Sequence, residues 1–121
     1  MLTGQIKSLD DIPPGDFRRH YPRFQPETFP VNLQLVSAVE ELAKKKRCTP
    51  AQLAISWVRS LSNRPGLPLI IPIPGATADT RVRENAQEYT LTREELSSIE
   101  DILAKSTIVG RRFPEGIPID T

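Results

Sequence analysis

Arg81, Glu84 and Asn85 stand three and four residues apart, a spacing that puts a cation, a carboxylate and an amide on one side of a single helix. Pro74, Gly75 and Thr77 come just before them. A strand that feeds a tight glycine turn and then a helix gathers free backbone N–H groups at the positive end of the helix dipole, where an anion can sit. The chemistry this set supports is the gripping of a phosphate or a nucleotide. The same residues also allow a plainer reading, with Arg81 and Glu84 as an i, i+3 surface ion pair and Asn85 as a helix-end residue. Strand, turn and helix is also a common join in α/β proteins.

The elements that would position this set follow from the pattern around it. Leu69, Ile70, Ile71 and Ile73 form a short apolar run with Pro72 inside it, which reads as one buried strand ended by Pro74 and Gly75. Thr77 is the expected N-cap of a helix over 78–86, with Val82 and Ala86 on its inner face. Upstream, Thr28 or Phe29 opens a first helix with Pro30 in its first turn. Its apolar stripe is Val31, Leu35, Val39 and Leu42, with Leu33 and Val36 beside it. Thr49 and Pro50 open a second helix, apolar over most of its surface from Ala51 to Leu61 and so expected to be buried on more than one side. Downstream, Thr92 and Glu95 form a capping box for a helix whose inner stripe is Leu96, Ile99, Ile102 and Leu103. Residues 1–28, with Pro13, Pro14, Gly15, Pro22 and Pro26, read as a lid-like loop, residues 29–105 as the body and residues 106–121 as an extended tail.

Composition narrows the function classes. With net charge +1, 38% hydrophobic and 26% charged residues, the chain lacks the basic excess of a nucleic-acid binder. The run Lys44 to Arg47 follows Glu40 and Glu41 and suits the negative end of a helix dipole. No apolar run approaches a membrane span and no signal peptide is evident, so the expected location is the cytoplasm. Cys48 is the only cysteine, which leaves no internal disulfide, no structural zinc site and no C-x-x-C pair. Its basic neighbours could lower a thiol pKa, but a small residue in a helix–helix turn is the preferred reading.

The stretch LPLIIPIPGATADTRVREN resembles the last β-strand and following helix of the aldo-keto reductases. In that family a Pro-Gly turn and an R-x-x-E-N helix face hold the adenosine end of NADP(H). The matching residues are Pro74, Gly75, Thr77, Arg81, Glu84 and Asn85. LTGQIKSLDDIP, PRFQPE, CTPAQLAISWV, LTREELSSIEDIL and GRRFPE resemble the same family in the same order. The likeness is closest to a bacterial, plant and fungal branch whose seventh strand leads into a G-x-L-T-G turn, of which Leu2, Thr3 and Gly4 would be the end.

The resemblance implies a (β/α)8 barrel, which typically needs about 250 residues. At 121 residues, the expected fold is α/β, a C-terminal fragment of a (β/α)8 TIM barrel from the end of strand seven onward. Taken alone it should be mostly helical with one short strand. The implied chemistry is hydride transfer from NADPH to a small aldehyde or ketone, with an active-site Tyr assisted by Lys, Asp and usually His. Those four groups lie on earlier strands and have no counterpart here, so no catalytic residue is assigned and the chain alone is expected to be inactive. Tyr21, Tyr89 and His20 stand in a loop, a turn and an Arg-rich loop.

For the cofactor, the resemblance implies that Gly75 to Thr77 meet a ribose phosphate through backbone N–H groups and the Thr77 hydroxyl. Arg81 would hold the 2′-phosphate and stack on adenine, and Glu84 and Asn85 would read the adenine edge. Gln5 and Arg18 would reach the pyrophosphate. Several members carry Lys or Arg where this chain has Ala76 and Ala78, so a preference for NADPH would rest on Arg81. Expected partners are a carbonyl substrate in the full-length protein and association through exposed barrel-facing surfaces, with no nucleic acid, membrane or metal. A different class remains open: a small non-catalytic helical interaction module that uses the apolar faces around Trp57 and Leu61.

Overall fold

The structure is a computed structural model and describes residues 1–117; residues 118–121 of the expected tail lie outside the described residues. Helices α1 (Phe29–Lys46), α2 (Pro50–Ser60), α3 (Asp79–Ala86) and α4 (Arg93–Lys105) carry it. Local chemistry sets their limits. Pro30 sits in the first turn of α1, and Arg47 ends it in the left-handed conformation at φ 58°. Lys44, Lys45 and Lys46 in the last turn face the negative end of the dipole. For α2 the Thr49 hydroxyl accepts from the Gln52 N–H at 3.2 Å while the Gln52 side chain accepts from the Thr49 N–H at 3.0 Å. Thr92 and Glu95 cap α4 in the same reciprocal way, at 3.2 and 2.8 Å.

Two apolar clusters hold these pieces together. Ala43, Leu53 and Ile99 join α1, α2 and α4, with Val39, Leu42, Trp57 and Leu91 around them. Ile6, Ile12 and Phe29 join the N-terminal segment to the start of α1. That segment contains three short 3-10 turns, Leu9–Asp11, Phe17–His20 and Pro22–Phe24. Arg19 pins it by donating to the carbonyls of Pro13 at 3.0 Å and Leu9 at 3.3 Å, and to that of Ile12.

Several expectations are corrected. The buried stripe of α1 is Phe29, Asn32, Val36 and Ala43, rotated from the expected one because Asn32 turns inward to bind the tail. Its amide donates to the Val109 carbonyl at 2.9 Å and its oxygen accepts the Val109 N–H at 2.9 Å. Helix α2 buries only Gln52, Leu53 and Ser56, since within this chain only one of its sides is packed. No strand forms among the described residues: a strand needs a neighbour to pair with, and the apolar run finds none. Ile70 instead bonds the Ser62 side chain, its N–H donating at 2.8 Å. Helix α3 starts one residue later than expected, with Ala78 as N-cap and no side-chain cap; Thr77 stays in the extended approach. Val82, expected inside, is 56% exposed, because it faces an open groove rather than a packed neighbour.

Close approach dictates one glycine. Gly110 has φ +88°, and a Cβ there would lie 2.7 Å from the Pro22 carbonyl oxygen, so the tail crosses the N-terminal segment only with glycine at this position.

Candidate functional site

Residues 67–78 run extended past the end of α2 and deliver the chain to α3. Together they border an open groove of about 600 Å³ whose walls include Ile55, Arg59, Asn63, Pro72, Val82 and Asn85. Sequence spacing gave no signal for Ile55, Arg59 and Asn63. They lie four residues apart on the α2 side, and only their folding against the 67–78 segment brings them to this groove.

Five of the expected site residues follow one another along this approach and α3, and of them Asn85 lines the groove. Gly75 and Thr77 are exposed on the approach to α3, and the main-chain N–H groups of Gly75, Ala76 and Thr77 meet no acceptor among the described residues. Arg81, Glu84 and Asn85 follow on α3. Arg81 Nη1 donates to Glu84 Oε2 at 2.9 Å, so the plainer i, i+3 pairing is formed. The Arg81 side chain is still 45% exposed, and part of its planar fork remains open to solvent. Asn85 is half-buried on the groove wall. Asp79 stands in the first turn of α3 and accepts the Thr80 N–H at 2.8 Å, so one carboxylate already occupies the positive end of the dipole.

The far end of α3 is fixed by a buried side chain from α2. Gln52, 4% exposed, donates to the Glu84 carbonyl at 3.1 Å and to Gln87 Oε1 at 3.0 Å. The residue that caps α2 therefore also anchors the helix that carries Arg81 and Glu84.

Gln5 and Arg18 are not gathered with these five. Gln5 is exposed, and Arg18 lines a different cavity, of about 530 Å³, with Tyr21, Arg112 and Phe113. Its Nε donates to both oxygens of Asp16 at 3.0 Å. That pairing pulls the Asp16 carboxyl from 3.8 down to about 2. Tyr21 meets Phe113 edge-on with ring centroids 6.0 Å apart, and His20 is exposed. No tyrosine, lysine, aspartate and histidine are assembled into a proton-transfer set among the described residues. Nor is there a group of three or more His, Cys, Asp or Glu side chains there that could hold a metal. Burial pushes the Cys48 thiol up, against a smaller downward pull from Lys46, which agrees with its reading as a packing residue. No helix among the described residues is long and apolar enough to cross a membrane.

Comparison with known proteins adds to this geometry. The model of the Aldo/keto reductase family matches residues 1–104. The chain is 37% identical over 117 residues to the aldo-keto reductase yakc of Schizosaccharomyces pombe, whose name specifies NADP(+), covering 95% of this chain and 33% of that protein. It is 35% identical over 114 residues to the aldo-keto reductase str7 of Strobilurus tenacellus, covering 93% of this chain and 32% of that protein. The chain thus spans about a third of the length of these curated relatives. No solved structure matches it at a significant level.

Proposed function

The chain belongs to the aldo/keto reductase family, and from that premise we propose that it carries the adenosine end of an NADP(H) site. The reductase it serves moves hydride from NADPH to a small aldehyde or ketone; the cofactor, when bound, supplies that hydride. One observation carries the reading: the exposed N–H groups of Gly75 to Thr77, without acceptors among the described residues, lead straight into the helix bearing the half-open Arg81 fork. Backbone donors on the approach and a guanidinium on the helix that follows suit a ribose phosphate.

In this reading Arg81 exchanges part of its bond to Glu84 for the 2′-phosphate, and Asn85 with Glu84 reads the adenine edge. Asp79 opposes an anion at the helix start, so discrimination between NADPH and NADH falls on Arg81. Gln5 and Arg18 reach the pyrophosphate only if the N-terminal segment comes round to the groove. The extended run 67–75 and the helices form the C-terminal third of a (β/α)8 barrel, from the end of strand seven, in the cytoplasm. This chain by itself does not reduce carbonyls, because its described residues bring together no proton-donating tyrosine with a lysine, an aspartate and a histidine.

Titration of the 15N-labelled chain with NADP(+) and with NAD(+) tests the site. NADP(+) should shift the Gly75, Ala76 and Thr77 N–H signals. Arg81→Ala should weaken NADP(+) binding by about tenfold or more and leave NAD(+) little changed, the loss expected for one charge-assisted contact. Shifts confined to other residues, or equal loss for both nucleotides, would remove the assignment. NADPH-dependent turnover by the chain alone, abolished in Arg81→Ala, would overturn the inactive reading.

A further inference from the structure

Helix α3 is eight residues long and buries none of them, so its place depends on what bonds its two ends. The start is held locally, where the Arg81 and Val82 N–H groups both donate to the Ala78 carbonyl at 3.1 Å. The end takes a distant partner as well. A helix leaves its last four carbonyls without acceptance of any N–H from within the helix. In α3 one of these, that of Glu84, accepts the Gln87 N–H at 3.3 Å and the Gln52 side-chain amide at 3.1 Å.

Gln52 is fixed at every polar atom. Its oxygen accepts the Thr49 N–H at 3.0 Å, and its amide donates to the Glu84 carbonyl and to Gln87 Oε1. It is 4% exposed, and the next residue, Leu53, is packed with Ala43 and Ile99. These partners belong to α2, α3 and the turns beside them, so the tie is internal to two successive helices. The last turn of α3 also carries Glu84 and Asn85. Asn85 and Val82 line the groove with Ile55 and Arg59 of α2. Gln52, Ile55 and Arg59 stand three and four residues apart on one side of α2. One buried amide therefore sets the register between the two walls of the groove.

We propose that Gln52 is a positioning residue for the adenine end of the nucleotide: by holding the Glu84 carbonyl it keeps Glu84 and Asn85 in register with the α2 wall. This inference rests on the cofactor reading and adds to it a side chain that touches no ligand. Loss of Gln52 acts on the two ends of α3 unequally. Arg81 stands beside the end that Ala78 holds, so its grip on a 2′-phosphate survives when the last turn frays. Adenine is common to NADP(+) and NAD(+), whereas the 2′-phosphate belongs to NADP(+) alone. Both nucleotides should then weaken alike, in contrast to the selective loss expected of Arg81→Ala.

Titration of the 15N-labelled chain with each nucleotide tests this. Gln52→Ala should weaken both by about fivefold or more, the loss expected when a buried amide leaves its partners, and keep their affinity ratio as in the wild type. Binding is read where the Leu53 and Ile99 N–H groups retain their exchange protection, so that it reports the folded chain. A side chain with only a structural role would lower stability and leave that affinity unchanged. Gln52→Glu gives a second reading. Its carboxylate donates to neither acceptor, but the neutral acid has one donor and keeps the oxygen that takes the Thr49 N–H. Its affinity for NAD(+), which has no 2′-phosphate to titrate, should rise relative to wild type between about pH 7 and pH 5. Gln52→Ala should show no such rise. Unchanged affinity in folded Gln52→Ala, a loss confined to NADP(+), or a Gln52→Glu affinity that acid does not restore would overturn the proposal. Should Gln52→Ala fail to fold, the Gln52→Glu series decides alone. A wild-type chain that binds neither nucleotide would remove the cofactor reading and this one with it, whereas wild-type binding indifferent to residue 52 would remove this one only.

Discussion

The side-chain amide of Gln52 donates to the main-chain carbonyl of Glu84 at 3.1 Å, linking the first turn of α2 to the last turn of α3. Its oxygen is held by the Thr49 N–H at 3.0 Å, so one buried amide caps its own helix and anchors another. Helix α3 buries none of its own residues, which makes this contact a main reason that it holds its place. Gln52→Ala should cost about 1–3 kcal/mol in urea unfolding, the usual range when buried polar groups lose a partner. Exchange of the Gln87 N–H, which bonds the same carbonyl, should quicken. Gln52→Glu should be at least as damaging, because a carboxylate would face the Glu84 carbonyl and Gln87 Oε1.

Asn32 plays the matching part for the tail. It is 1% exposed and forms paired bonds with the Val109 main chain, both at 2.9 Å. Asn32→Leu keeps the volume and removes the bonds, leaving the Val109 N–H and C=O without them. The expected loss is about 1–3 kcal/mol, with exchange at Val109 rising more than exchange within α2. Unchanged protection at Val109 would show that the tail is held by something else.

Acid should loosen the fold in two stages. Burial pushes the Glu95 carboxyl up, but the Lys46 ammonium and the Thr92 N–H, each at 2.8 Å, outweigh it and hold the group below its usual 4.5. A carboxyl depressed in the folded state stabilises above its unfolded pKa, and that contribution is lost as pH falls through the folded value. Stability should therefore be steady from neutral pH to about 5 and then decline. Glu95→Gln should flatten the first part of the decline. The Asp16 contribution starts to fall later, below its unfolded value near 3.8, and is lost as pH falls through its folded pKa of about 2. A carboxyl NMR titration of both residues gives the order directly.

Cys48 should be a slow nucleophile. Burial raises its pKa above the usual value despite the nearby Lys46 ammonium, so little thiolate is present at neutral pH. Alkylation by iodoacetamide in the folded chain should run about tenfold slower than for free cysteine, and match it once the chain is unfolded. Reaction faster than free cysteine would point to an activated thiol.

Much of this protein is legible in local pattern. The reciprocal caps at Thr49–Gln52 and Thr92–Glu95, the prolines in the first turns, and the lysines closing α1 are interactions between near neighbours. Their chemistry is complete within a few residues, and each forms as the sequence implies. The candidate residues are neighbours for the same reason: one extended approach and one helix carry Gly75, Thr77, Arg81, Glu84 and Asn85. Arg81 and Glu84 sit one turn apart, so their ion pair was visible in the spacing as well.

Tertiary structure decided what depends on distant partners. Whether 69–73 becomes a strand depends on a second strand, and the described residues contain none; the same run therefore stays extended, with Ile70 bound to Ser62. Asn32 turns inward and rotates the buried stripe of α1 only because the tail returns to meet it 77 residues later. Gln52 reaches α3 across a separation of 32 residues, a tie that no helical or strand period encodes. Arg18 goes to Asp16 and a separate cavity, since a long flexible side chain takes the charge its folded surroundings offer. Sequence determined the elements and the chemical groups they carry, because those rest on neighbours a few residues away; the fold alone decided which groups meet, because that rests on how the elements close in space.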